Sequence, residues 1–192
     1  MKTLIIIAHP DENSFNYAIS EEVQSHLKNK NHELKIKDLY KESFDPVLKE
    51  DNYLQFYQNN VPKDIHEEQK LITWAENLVF IFPTWWNGMP AILKGYLDRV
   101  FTNGFAFQFS KGKVEGLLAG KKVVIFQTTS QTEDFMKPNQ LVSSMETIID
   151  LGFLNYCGFN VLTHKFFYSV PQVDQETREK MLGEVRGVVD IM

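Results

Sequence analysis

The octapeptide Pro83-Thr84-Trp85-Trp86-Asn87-Gly88-Met89-Pro90 holds side chains suited to gripping a flat aromatic ligand. Two adjacent indoles supply broad apolar faces, while Asn87 and the amides freed by a turn supply donors at a ring's edge. A second polar cluster stands at His9-Pro10-Asp11-Glu12-Asn13-Ser14-Phe15-Asn16. Asn13 or Ser14 suits the cap of a helix, and the free amides behind such a cap favour a phosphate. Ser14 and Asn16 add side-chain donors there, and His9 can donate or carry charge near pH ~6.5. The phosphate reading requires Asp11 and Glu12 to face solvent, since inward carboxylates would repel the anion. An ordinary capped helix start is the plainer alternative. A third run, Thr128-Thr129-Ser130, is small and polar.

These residues need elements to position them. Thr3–Ala8 is a continuous apolar run, as expected of a parallel strand covered on both faces. Phe15, Ile19, Val23 and Leu27 recur every four residues, the stripe of an amphipathic helix. A more exposed strand alternates through Leu34 and Ile36 and ends near Asp38. Residues 39–63 are polar and aromatic with two prolines and read as loop with a short helix. A helix is expected over Ile65–Trp74, a third strand over Leu78–Phe82, and a helix over Ala91–Phe101 opened by Pro90. Gly95 inside that helix should cost about 1 kcal/mol relative to Ala, so close packing is expected there. Val123–Thr128 is a fourth strand, followed by a helix over Asn139–Leu151. Phe159–Phe167 is a fifth strand, and residues 174–190 form a terminal helix.

This alternation specifies one α/β domain over residues 1–192: a doubly wound, five-stranded parallel sheet in order 2-1-3-4-5 with helices on both faces. Its switch point lies between strands one and three, where ligands bind at the carboxyl ends. The His9–Asn16 and Pro83–Pro90 loops meet there, with Thr128-Thr129-Ser130 alongside. A flavin would use all three, because it needs faces for its ring, donors where charge builds on reduction, and a site for its phosphate.

Other chemistries lack their markers. No G-x-G-x-x-G follows the first strand, and Gly116–Lys122 has neither P-loop spacing nor its Ser/Thr. His9, His26, His32, His66 and His164 are scattered without metal-ligand spacing, and no G-x-S-x-G elbow is present. The single Cys157 reads as a small buried hydrophobe and excludes an internal disulfide. A net charge of -5 without a long basic run argues against nucleic acid. No secretory cleavage pattern or membrane-length apolar segment occurs, so a cytoplasmic address without membrane insertion is expected.

The same segments resemble the flavodoxin-like NAD(P)H:quinone oxidoreductases, the DT-diaphorase family with its small bacterial members. The resemblance rests on Ala8-His9-Pro-Asp-Glu-Asn-Ser-Phe-Asn16, Asp64-Ile-His-Glu-Glu-Gln69, and Pro83–Pro90 running into Ala91-Ile-Leu-Lys-Gly-Tyr-Leu-Asp-Arg-Val-Phe101. Phe105-Ala-Phe107, Thr128-Thr129 and Cys157-Gly158-Phe159 extend it. It implies a flavin enzyme that takes two electrons, as hydride, from NAD(P)H and passes them to a quinone or similar acceptor. It further implies that His9, Ser14, Phe15 and Asn16 hold the phosphate end of the cofactor. Gln69, Pro83, Thr84, Trp85, Trp86 and Asn87 would border the ring, with Thr128, Thr129 and Ser130 at its edge. The family implies a homodimer with the active site at the interface, where Phe107 and Phe109 of one subunit would meet the other's substrate. FMN is expected over FAD, since the chain ends soon after the fifth strand and its helix and has no extra domain to shelter an adenosine.

The chain departs from the family's pattern after Thr129. Members continue into Gly-Gly and carry a Tyr and a His further on, whereas here Ser130-Gln131-Thr132 follows and neither residue occurs between 128 and 155. No acid/base residue is therefore assigned. A non-catalytic flavodoxin-like protein, either a regulatory subunit or an electron carrier, is the alternative that this departure favours.

Overall fold

Leu4, Ile5, Ile6 and Ile7 are all buried, yet alternate side chains enter different cores. Period-two alternation sends Leu4 and Ile6 to one face of a sheet and Ile5 and Ile7 to the other, so a strand apolar throughout must be covered on both sides. The computed structural model describes residues 1–50, 53 and 60–192. It places β1 (Lys2–Ile7), β2 (Glu33–Asp38) and β3 (Asn77–Pro83) in one parallel sheet. After a hairpin of β4 (Phe107–Ser110) and β5 (Lys113–Gly116), β6 (Lys122–Thr128) and β7 (Asn160–Phe167) complete it. The order β2-β1-β3-β6-β7 is 2-1-3-4-5 when only the parallel strands are counted. The expected sheet is therefore found.

Helix α1 (Phe15–Asn29) buries Ile19, Val23 and Leu27 on the face that also holds Ile5, Ile7, Val79, Ile81, Val124 and Phe126. The C-terminal α6 (Gln175–Val189) packs beside it through Val185 and Val189. The opposite face carries α2 (Lys63–Trp74) and α3 (Ala91–Val100). The short α4 (Glu133–Met136) precedes α5 (Leu141–Glu146), which passes without a break into a π-helix over Thr147–Asn155. This helix runs past the Leu151 end expected from the sequence. Its buried residues Ile149 and Leu154 are five apart, which matches π rather than α winding. Of residues 39–63, expected as loop with a short helix, positions 51–52 and 54–59 lie outside the described residues.

The β4–β5 hairpin has no counterpart in the sequence reading. Phe107 pairs with Gly116 and Phe109 with Val114. The turn between the strands places Lys111 at φ 51° and Gly112 at φ 74°, the two positive angles that a two-residue hairpin loop requires. Four-residue strands of mixed polarity carry too little periodicity to announce themselves.

Two buried details constrain stability. A Cβ on Gly95 would lie 2.2 Å from the Pro46 carbonyl oxygen, which explains a glycine in mid-helix. Gly95→Ala is expected to lose roughly 1–3 kcal/mol through overpacking, despite its gain in helix propensity, as read by denaturant unfolding. His32 is buried with Nδ1 3.0 Å from the Thr3 hydroxyl. Burial, reinforced by the N-terminal ammonium and Lys30, lowers its pKa below the usual imidazole value. The folded state thus binds the proton less readily than the unfolded chain. That stability is complete above pH ~6.5 and is lost as pH falls toward the depressed folded value. Thermal unfolding should show this loss, and His32→Gln should flatten the acid limb.

Candidate functional site

The crevice begins with three parallel strands ending side by side. Ala8 N donates to Ile81 O (3.0 Å) and Thr84 N to Thr128 O, so the loops after β1, β3 and β6 leave the sheet together. The first and third loops are also joined by side chains, Asn16 Nδ2 donating to Thr128 Oγ1 at 3.0 Å. The loop after β7 is held against them by Val170 N donating to Thr129 O (3.0 Å).

Between them lies a crevice of about 390 Å³, within the range of small-molecule sites. Its lining contains His9, Ser14, Phe15, Asn16, Pro83, Thr84, Trp85, Thr128, Thr129 and Ser130 from the sequence reading. It also contains Asn13, Val170, Pro171 and Arg178, which that reading did not assign. Arg178 was out of reach because it lies on α6, and only the return of the β7 loop brings it to the first strand's end. Its terminal nitrogen Nη2 donates to Val170 O at 3.1 Å, while its Nε is buried without a partner. Ser14 Oγ is likewise buried and unpartnered, and it forms no side-chain cap on α1. Two orphaned donors beside a helix N-terminus leave hydrogen bonds unmade, as a site awaiting an anion would.

The acidic residues meet the condition set by the phosphate reading. Asp11 Oδ1 accepts from Asn13 N at 2.9 Å, and Glu12 pairs with Lys41 at 3.1 Å, both on the exposed side. His9 Nδ1 lies 3.1 Å from both the amide and the carbonyl of Asp11, leaving Nε2 for the crevice. The donor set therefore suits a phosphate-bearing ring.

Trp86 and Asn87 stand apart from the lining. Trp85 and Gly88 exchange two backbone hydrogen bonds (2.9 and 3.0 Å), closing a tight turn that forces Trp86 to φ 50° and Asn87 to φ 55°. The left-handed conformation is unfavourable for a bulky residue, so such strain tends to mark ligand clamps. Trp86 is wholly exposed, its relative accessibility 101%.

Gln69 is also elsewhere. Its amide donates to Val100 O (3.0 Å) and Thr102 Oγ1 (3.1 Å), and it lines a separate depression with Asn60, His66 and Phe105. It does not border the crevice, because α2 packs on the opposite face of the sheet from α1. Phe107 and Phe109 sit on the hairpin in a third depression, beside Asp98 and Phe101. Cys157 is buried, and burial pushes its thiol up to about 12, which removes it as a nucleophile.

The sequence matches, over residues 1–188, the family described as having a flavodoxin-like fold. The chain belongs to that family. Within it, the chain is 33% identical over 183 residues to an NAD(P)H oxidoreductase of Haemophilus influenzae, covering 95% of this chain and 91% of that one. It is 33% identical over 202 residues to NAD(P)H dehydrogenase [quinone] 1 of Cavia porcellus, covering 95% and 74%. Its fold superposes on the NAD(P)H:quinone oxidoreductase of Methanothermobacter marburgensis with a TM-score of 0.86 at 28% identity, covering 97% and 95%.

If the orphaned donors serve an anion, removing them should weaken it unequally. Arg178→Ala should lower the affinity for a phosphate-bearing flavin by roughly 10- to 100-fold and Ser14→Ala by a few fold, since charge-assisted hydrogen bonds are the stronger. Fluorescence titration of the apoprotein measures both.

Proposed function

We propose that this flavodoxin-like protein binds FMN in the crevice and acts in the cytoplasm as a homodimer. It is a flavin-dependent NAD(P)H oxidoreductase of the quinone reductase type, reducing quinones or similar acceptors by two electrons. The observation that carries the reading is the pair of unpartnered donors, Ser14 Oγ and Arg178 Nε, beside ring-sized walls at the switch point. No feature of the relatives favours the non-catalytic alternative.

When bound, FMN would accept hydride from NAD(P)H and deliver two electrons to the acceptor. The chain's own work is positioning. Ser14, Arg178 and the first amides of α1 would hold the phosphate, which anchors the ring without touching the reacting atoms. Pro83 and Trp85 would wall one side of the ring. Thr84, Thr128 and Thr129 would offer hydroxyls and amides along its edge, where fixed dipoles stabilise charge best. Trp86 and Asn87 would border the ring once their exposed turn closes over it, and Ser130 would cap the far edge.

The homodimer reading rests on an exposed apolar surface. Ile148 and Leu151 of the π-helix are 66% and 55% exposed, and Phe109 on the hairpin is 69% exposed. Tyr156 and Phe107 join these two elements with ring centroids 5.1 Å apart. An apolar surface of this kind, on a chain otherwise ordinary in composition, marks an interaction site. Across such an interface Phe107, Phe109 and Gln69 of one subunit could reach the other's site.

Purified protein should be yellow or become so with FMN, bleach with NAD(P)H under anaerobic conditions, and recover its colour on adding a benzoquinone. A preparation that binds no flavin would refute the reading; one that binds flavin without turnover would favour the carrier. Phe109→Asp combined with Ile148→Asp should give a monomer by sedimentation and lower quinone turnover at least about tenfold, because a charge at a desolvated contact costs several kcal/mol.

A further inference from the structure

Gln127 is fully buried in β6, a strand otherwise made of Val, Ile and Phe at its centre. A buried amide in such a place destabilises the fold unless its hydrogen bonds are made. Here they are made by a continuous chain of polar groups. His164 of β7 places Nε2 3.0 Å from Gln127 Oε1, and Asp150 of the π-helix places Oδ1 3.0 Å from His164 Nδ1. Gln127 Nε2 donates to Thr84 Oγ1 at 2.8 Å, and Thr84 lines the crevice. The His164 side chain is only 2% exposed, and its ring stacks on Phe166 at 4.4 Å. The chain therefore runs from a carboxylate near the surface, through the sheet, to a hydroxyl in the crevice.

Hydrogen-bond logic gives this chain two self-consistent senses. With protons on both ring nitrogens, His164 donates to Asp150 and to Gln127 Oε1. The amide then donates to Thr84, whose own O–H is left to donate into the crevice. With a proton on Nδ1 alone, Nε2 accepts and the amide must turn over to donate to it. Gln127 Oε1 then accepts from Thr84, which shows the crevice only a lone pair. The proton count balances in both, since the one proton gained by His164 is the only difference. The recorded partners of the ring among the described residues are Asp150 from the π-helix, Gln127 from β6 and Phe166 from its own strand. Lys165 points to the opposite face, pairing with Glu184, and Met145 Sδ is an uncharged neighbour of Gln127.

We propose that Asp150, His164 and Gln127 form a positioning relay that sets whether Thr84 offers the crevice a donor or an acceptor. The proposal rests on the flavin reading for its use. A ring that gains charge and a proton on reduction needs a different partner in each state, and this wall could supply both. The residues are not catalytic, since none but Thr84 reaches the crevice. They lie outside the 128–155 segment, apart from Asp150, and no local motif links them.

The test has two arms. In the apoprotein, ¹⁵N NMR should show the Gln127 side-chain amide changing whenever the His164 ring changes its protonation, and Asp150→Asn should alter both. An amide signal indifferent to the charge of His164 would overturn the relay whether or not flavin binds. In the FMN-loaded protein, His164→Phe, which keeps a flat ring on Phe166, and Thr84→Val should each change the ratio of affinities for reduced and oxidised FMN about tenfold. That corresponds to ~30 mV in a two-electron potential. The double variant should shift it no further than either single one, because the two act through one path. Additive shifts, or none, would overturn the proposal, and if His164→Phe fails to fold, Asp150→Asn replaces it in the cycle. A protein that binds no FMN while the NMR arm succeeds would refute the flavin reading and leave the relay standing.

Discussion

The parallel register of β1, β3 and β6 is the constraint on which the rest of the molecule depends. Ile7 pairs with Ile81, and Pro83 pairs with Thr128, so three chain segments leave the sheet at one edge within hydrogen-bonding reach. A shift of one residue would turn every apolar side chain to the wrong core, and both cores are closely filled. The register is therefore enforced by burial along the whole strand. The polar crevice at the end inherits that precision without having to stabilise itself. This is why it can leave Ser14 Oγ and Arg178 Nε unpartnered.

Among the described residues, most buried polar groups elsewhere in the fold are partnered, Arg99 Nε being an exception. Lys37 bridges Glu42 (2.7 Å) and Glu68 (2.5 Å), and Glu68 also accepts from the fully buried Tyr96. Arg99 joins Asp64 at 2.8 Å and lies 5.3 Å over Phe44. These contacts tie α2 and α3 to each other and to β2, and they account for the Asp64–Gln69 segment as architecture. Truncating one member would leave an uncompensated buried charge, which destabilises far more than the intact pair stabilises. In the crevice two such groups, Ser14 Oγ and Arg178 Nε, lie unpartnered at the strand ends.

Two features lie on the exposed surface. The Trp85–Gly88 turn holds a fully exposed indole in a strained conformation, and the π-helix with the hairpin presents Ile148, Leu151 and Phe109 to solvent. The π winding has a second consequence, because it carries Asp150 to His164 while Ile149 and Leu154 stay in the core. One irregular helix thus serves the exposed apolar surface and the buried relay.

The sheet, its order and the meeting of three loops were legible in the chain because they follow from local periodicity: apolar runs for parallel strands and a four-residue stripe for α1. The need for space at Gly95 was legible for the same reason, since a glycine in a helical stripe implies a close neighbour. The hairpin was not, because four-residue strands of mixed polarity give no period. Nor were the roles of Arg178, His164 and Gln69 readable. Each is fixed by a partner on another element: Val170 and the crevice for Arg178, Asp150 and Gln127 for His164, Val100 and Thr102 for Gln69. The sequence by itself determined which residues could hold a ring and a phosphate, because side-chain chemistry and strand ends are local properties. Only the tertiary structure decided which of them share one crevice and which buried groups reach it, because hydrogen bonds across a sheet depend on register and crossover geometry that no single segment encodes.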